Sequence, residues 1–172
     1  SFEYNTPFSL NFNVKFNSVA THQNLFSNID ELDPGSRGIW LSLYPSGQMY
    51  LTIISNYPSK FMRIYTNPAS YLAIDTWYNI CVTYNGNNLT SGLNIYINNV
   101  LASVTSDVNI LGTNTIKTLS DIYIGKRNNG DRNSKRFIGG NPVEKIINSP
   151  RDIREILAID LIACNNYKNG SE

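Results

Sequence analysis

Thr76–Ser103, TWYNICVTYNGNNLTSGLNIYINNVLAS, reads as three successive antiparallel strands joined by Asn/Gly turns. Tyr78, Ile80, Val82 and Tyr84 alternate with Trp77, Asn79, Cys81 and Thr83, the two-residue period of a strand with one buried face. Asn85-Gly86 then supplies the positive backbone φ that a tight turn demands. Leu93, Ile95 and Ile97 alternate with Asn94, Tyr96 and Asn98. Asn98-Asn99 makes a second turn, and Val100-Leu101 starts the return strand. A meander with one apolar and one wetter face is expected, which places the chain in the all-β class.

The pattern continues on both sides of this stretch. Phe8, Leu10, Phe12, Val14 and Phe16 form an unbroken inward stripe, with Ser9, Asn11, Asn13 and Lys15 outward. Residues 17–37 read as a loop, with turn chemistry at Asp33-Pro34-Gly35-Ser36. Ile39, Leu41 and Leu43 alternate with Trp40, Ser42 and Tyr44. Pro45-Ser46-Gly47 turns the chain, Met49–Ile54 returns it, and Phe61–Tyr65 forms a further strand between Pro58 and Pro68. Strands recurring about every dozen residues with turn signals between them describe a sandwich. Its core is expected to hold Phe8, Leu10, Phe12, Ile80, Val82, Ile95 and Ile124. One short helical turn is read at Ser149–Glu155, where Ser precedes Pro150 at the first helical position.

The same residues carry a resemblance. WYNICVTYNG followed by GLNIYINNV resembles the central hairpin of the laminin-G-like, concanavalin-A-like jelly rolls. Asn99 stands where that family carries Gly, and Asn tolerates the left-handed backbone region. Phe8–Phe16 resembles the family's opening strand, Ile122-Tyr-Ile-Gly125 its I-x-I-G strand, and Ile159–Asn166 its closing strand. The resemblance implies a two-sheet antiparallel jelly-roll β-sandwich over residues 1–172, one domain excised from a larger protein. Residues 125–148 depart from the family pattern. Phe137-Ile138-Gly139-Gly140 is the candidate for the hairpin expected there, and Asn141–Pro150 reads as an insertion. The superfamily hosts lectins, adhesion modules, toxin binding domains and hydrolases, so the fold alone does not choose a function.

Composition narrows the choice. The chain has 172 residues, enough to bury a real core, with 41% hydrophobic and only 16% charged residues. A net charge of +1 provides no global field to recruit DNA or an acidic partner. An asparagine-rich surface with 11 Tyr solvates itself through amides and phenols, a composition suited to sugar hydroxyls as well as to simple solvation. No apolar run approaches the ~18 residues of a membrane span, and no signal peptide is visible. Cys81 and Cys164 both sit in expected strands and read as buried thiols; a bridge would need Cα atoms within about 7 Å. Two sequons, Asn88-Leu-Thr90 and Asn169-Gly-Ser171, matter only in a chain secreted by a eukaryotic host.

Catalytic chemistry finds little footing. A glycosidase of this superfamily carries alternating carboxylates on one strand. The nearest match, Glu31-Leu-Asp33, lacks the third carboxylate and runs into Pro34-Gly35. His22, the single histidine, has no nucleophile signature beside it. Zinc and phosphate-loop spacings are missing. No cofactor is required by this reading. Ca²⁺ is the one ion it admits, at the loop where Asp30, Glu31 and Asp33 crowd together, a grouping that also suits a solvated acidic loop.

Two candidate binding surfaces remain. With Ile and Leu inward, Trp40, Tyr44, Tyr50, Tyr96 and Tyr123 point outward, where aromatic rings stack on the apolar faces of sugars unless loops cover them. Lys126, Arg127, Arg132, Lys135 and Arg136 lie in one Gly/Asn-rich loop that could grip an acidic glycan or simply be solvated. The expected function is therefore a non-catalytic recognition module, binding a glycan or glycoconjugate receptor. Its parent would be an extracellular, cell-surface or virion protein, in which neighbouring domains flank it; nucleic acid is not an expected partner. The alternatives are a protein-interaction or spacer domain without a ligand of its own, and a toxin binding subdomain of the clostridial neurotoxin type.

Overall fold

Alternation along the first strand has the expected consequence: every second residue from Phe8 to Phe16 is buried and the residues between them are mostly half-buried. The structure is a computed structural model and describes residues 2–16, 18–31, 35–67 and 72–125, together with the backbone of 153–162. The strands are β1 (Phe8–Phe16), β2 (Gln23–Ser27), β3 (Gly38–Leu43), β4 (Met49–Asn56), β5 (Lys60–Thr66), β6 (Trp77–Tyr84), β7 (Leu93–Ile97), β8 (Val100–Leu101), β9 (Val104–Asn109), β10 (Tyr123–Ile124) and β11 (Ile153–Ile162). Sheet A has the order β11-β1-β6-β7-β8 and sheet B the order β10-β2-β3-β4-β5-β9. Their strand pairings are antiparallel. The result is the two-sheet jelly-roll sandwich that the sequence implied.

Both sheets turn one face into a common core. Leu10, Phe12, Ile80, Val82 and Ile95 from sheet A meet Leu25, Leu41, Leu51, Met62 and Ile64 from sheet B, all buried in one cluster. Burying a side chain of this size contributes about 1.5–3 kcal/mol relative to leaving it in water. The Asn98-Asn99 turn is the one expected, whereas β6 and β7 are joined not by a tight turn but by residues 85–92, which end in a 3-10 turn at Thr90–Gly92. Asn98 and Asn99 both have positive φ, 51° and 64°, the pair a type I′ hairpin requires. Gly86 sits at φ +81°, and a Cβ there would come within 2.7 Å of the Asn5 carbonyl oxygen, so Gly is needed twice over.

Three further expectations need correction, and one strand was not expected at all. Residues 17–37 are not one loop, because β2 runs from Gln23 to Ser27 inside them. All five residues of β2 are buried and a register shift separates Asn24 from Phe26, so no two-residue alternation betrays the strand. β9 also went unread: as a polar edge strand its sequence VTSDVN lacks an apolar stripe. The closing strand begins at Ile153 rather than Ile159, so Ile153–Glu155 are strand and not the helical turn read there; the residues before them lie outside the described residues. Ile124 is only partly buried, since β10 is a two-residue strand at the edge of sheet B. Phe137–Gly140 and the insertion that follows lie outside the described residues.

A strap ties the N-terminal segment to residues 115–117. Glu3 accepts hydrogen bonds from the N–H groups of Tyr4 at 2.8 Å and Ile116 at 3.0 Å and from the Thr115 hydroxyl at 2.8 Å. Lys117 Nζ stands 3.8 Å away. Burial acts to raise the Glu3 carboxyl, but these donors and the lysine outweigh it and hold the group below its ordinary value. Next to it the Tyr84 hydroxyl donates to the Tyr4 carbonyl and accepts from the Asn88 N–H at 2.8 Å.

Candidate functional site

The outer face of sheet B is built by the residues that alternate with its core positions. Leu41 and Leu43 are buried inward, so Trp40, Ser42 and Tyr44 project the other way; the same logic turns Tyr50, Thr52, Arg63 and Tyr65 outward. Register then aligns them across strands. Asn24 pairs with Ser42, Ser42 with Tyr50, and Tyr50 with Tyr65. A neighbouring row runs Tyr123, Ser27, Trp40, Thr52 and Arg63.

The rings in these rows touch one another. His22 and Tyr44 have centroids 4.4 Å apart, Tyr44 and Tyr50 4.4 Å, and Tyr50 and Tyr65 5.1 Å. Trp40 closes on His22 at 5.5 Å and on Tyr44 at 6.4 Å. Trp40, Tyr44 and Tyr50 therefore each have more than one ring neighbour. The strip is half-buried, so it forms a second apolar layer outside the sheet. Ile29, Ile54 and Phe61 extend it, with Trp40 and Val108 packed against them.

Polar groups are set into this layer. The Trp40 indole N–H donates to Asn24 Oδ1 at 2.5 Å. Asn24 Nδ2 and Ser42 Oγ, in residues only 2% and 0% exposed, have no hydrogen-bond partner among the described residues. An unsatisfied buried polar atom costs about 1–3 kcal/mol, so two neighbours of this kind on one face are notable. At the other end Arg63 bonds Asp107 through Nε at 2.6 Å and a second nitrogen at 2.5 Å, and its guanidinium lies 5.6 Å from the Tyr50 ring and 5.5 Å from Phe61. Burial pushes the Tyr50 phenol up, with Arg63 partly opposing it, so the hydroxyl keeps its proton throughout the neutral range.

The outer face of sheet A is of another kind. Asn79 Nδ2 donates to Asn11 Oδ1 at 2.8 Å and Asn13 Oδ1 at 3.0 Å, and the Asn79 N–H donates to Asn98 Oδ1 at 2.9 Å. Asn94 Nδ2 donates to Thr83 Oγ1 at 3.3 Å, and Lys15 Nζ lies 5.3 Å from the centre of the Trp77 ring. Amides here satisfy one another.

Of the five outward aromatics read from the sequence, Trp40, Tyr44 and Tyr50 share this strip. Tyr123 stands on the edge strand of the same sheet, with Ser27 between it and Trp40. Tyr96 lies on sheet A, beside Cys81, and belongs to the amide-rich face. Cys81 is half-buried rather than buried, and Cys164 lies outside the described residues. Lys126, Arg127, Arg132, Lys135 and Arg136 also lie outside them, as does Asp33. Asp30 is bridged to Arg37 through both backbone groups, at 2.8 and 3.1 Å, and among the described residues no three metal-ligating side chains gather.

Sequence reasoning missed His22, Asn24, Ser42, Arg63 and Tyr65 as members of the strip. Tyr65 and Arg63 were legible by alternation with Met62 and Ile64. His22 and Asn24 were hidden with β2.

Comparison with known proteins follows the fold. A laminin G-type family profile, described as the concanavalin A-like lectin/glucanases superfamily, matches residues 1–140. No curated protein sequence matches significantly. Mouse laminin α1 chain domains LG4-5 superimpose with a TM-score of 0.54 at 10% identity, covering 94% of this chain and 39% of that one. The chain thus spans about two fifths of the laminin structure. The CBM40 of Ruminococcus gnavus IT-sialidase, solved with α2,3 sialyllactose, gives a TM-score of 0.50 at 11% identity, over 70% of this chain and 64% of that one. The botulinum neurotoxin serotype D binding domain matches at 0.48 and 18% identity, over 70% and 28%, too distant to carry an argument. At these identities the likeness establishes the fold.

Proposed function

Since the chain belongs to the concanavalin A-like lectin/glucanase superfamily, we propose that it is a non-catalytic recognition module that binds glycan on the outer face of sheet B. One observation carries this reading: a continuous strip from His22 through Tyr65, half-buried yet facing away from the core, with polar atoms set into it. Rings of this kind supply apolar contact to sugar faces, while phenol, amide and hydroxyl groups supply hydrogen bonds. A shallow site leaves much of a sugar hydrated, so affinity should lie between about 10 μM and 1 mM. The basic residues between Lys126 and Arg136 would add contacts to acidic glycans, and their share would vanish in high salt. The parent protein, in this reading, presents the module outside the cell or on a virion.

The test is a glycan array followed by titration calorimetry on wild type and Trp40→Ala. Loss of binding in the variant, with an unchanged far-UV spectrum, supports the proposal. Silence of a folded wild-type domain on neutral and acidic arrays alike would sink it. The second reading is a protein-interaction or spacer module. It is favoured by Val100 and Leu101, 68% and 56% exposed on the edge strand β8, which suit contact with a neighbouring domain.

A further inference from the structure

The geometry points to a specificity subsite at the β2–β3 end of the strip, where Asn24 and Ser42 together receive an oxygen-bearing group of an uncharged sugar residue. This inference rests on the glycan reading of the face and deepens it. The two residues are register partners on adjacent strands. A tryptophan indole only donates, so its bond to Asn24 Oδ1 fixes how the amide is turned and commits Nδ2 to another direction. That leaves an N–H donor and, beside it, a hydroxyl able to donate or accept, neither with a partner. A sugar hydroxyl or acetamido carbonyl oxygen would accept from Nδ2 and exchange a hydrogen bond with Oγ.

The pair itself carries no charge, which suits an uncharged part of a sugar. Arg63 and Asp107 neutralise each other and lie on β5 and β9, away from β2 and β3. Both atoms are buried at rest, so a ligand must move side chains to reach them. By register Tyr50 stands across from Ser42, and the Trp40 indole is bonded to Asn24, while His22 and Tyr44 stand just outside the strands, before β2 and after β3. Tyr44 leads directly into the turn closed by its hydrogen bonds with Gly47 and Gln48. Side chains change rotamer far faster than a backbone opens, so ligand would reach the pair by displacing rings of this face rather than by parting the strands.

The experiment titrates wild type, Trp40→Ala, Ser42→Ala and Asn24→Asp with lactose, cellotetraose, N-acetylchitotetraose and 3′-sialyllactose. It records the melting temperature of each variant and the side-chain amide resonances of Asn24. Ser42→Ala removes an unsatisfied hydroxyl, so the expected result is an unchanged or raised melting temperature with affinity for a neutral oligosaccharide lowered about five- to tenfold. In wild type, ligand should shift the Asn24 amide resonances. Asn24→Asp keeps an acceptor for Trp40 and removes the donor, so it should bind at least as poorly; should it fail to fold, Ser42→Ala and the Asn24 resonances decide alone. The comparison between lactose or cellotetraose and the N-acetylated oligomer tells a hydroxyl from an acetamido group. A lowered melting temperature in Ser42→Ala with wild-type affinity would mean an internal water holds the pair, and would overturn the inference while leaving the face reading intact. Binding that Trp40→Ala leaves untouched, or no binding by wild type, would overturn both.

Discussion

The two outer faces of this sandwich are made by the same alternation rule and end up chemically opposite. On sheet A the outward residues are amides and hydroxyls that bond one another, as Asn79 does with Asn11 and Asn13. On sheet B they are rings that touch one another, from His22 to Tyr65, on the same face as an amide and a hydroxyl without partners among the described residues. A face whose polar groups are mutually satisfied has little to offer a ligand beyond what water offers. A face that buries apolar surface and leaves hydrogen-bonding capacity unspent gains from a partner carrying both an apolar face and polar edges. The difference teaches that exposure alone does not mark a site; the state of the hydrogen-bond inventory does.

The comparison can be broken at several levels. Both faces depend on the shared core, so the largest effect is expected there. Phe12→Ala should cost roughly 3–5 kcal/mol in urea unfolding, with fluorescence and far-UV transitions moving together. Transitions that separate would mean the faces are not coupled through one core.

Next in size is the contrast between rings on the two sheets. Trp40→Ala should weaken glycan binding at least tenfold, about 1.4 kcal/mol, and do so with little salt dependence. Tyr96→Ala, on the amide-rich face, should leave affinity unchanged. Equal losses from the two variants in calorimetry would erase the distinction between the faces.

Asn79→Ala should do the reverse. Removing an amide that serves Asn11 and Asn13 should cost about 1 kcal/mol of stability and no affinity. A loss of binding in that variant would move the site to sheet A.

The smallest effect belongs to neither face. The Glu3 carboxyl is held below its ordinary value by its donors and Lys117, so its stabilisation is present above the ordinary carboxylate range. It is lost as pH falls through the lowered folded value. Melting temperatures of wild type should therefore fall on acidification more steeply than those of Glu3→Gln, with glycan affinity at neutral pH the same in both. Parallel acid limbs would show that the strap contributes nothing.

The strands legible in the sequence were those with one wet and one dry face. In β1, β3, β6 and β7 the alternation of Phe, Ile, Leu and Val with Ser, Asn and Thr reports burial directly. β2 was invisible because both its faces are covered: QNLFS is buried at every position, and the register shift after Asn24 breaks the period. Asn24 was lost with it, and so was His22, which immediately precedes β2. Tyr44 and Tyr50 were found as outward residues, but nothing local said that they would touch each other.

By itself the sequence determined the fold class, the inward stripe, the turn at Asn98-Asn99 and the positive φ of Gly86, and the membership of Trp40, Tyr44 and Tyr50 in an outward set. Those follow from rules that reach only a few residues, the strand period and the φ preferences of Asn and Gly. Tertiary structure alone decided which outward rings share a sheet. It separated Tyr96 from Trp40, brought His22 to within 4.4 Å of Tyr44, and set Asn24 beside Ser42 with atoms unpaired. Strand order and register join residues far apart along the chain, and no local period encodes them.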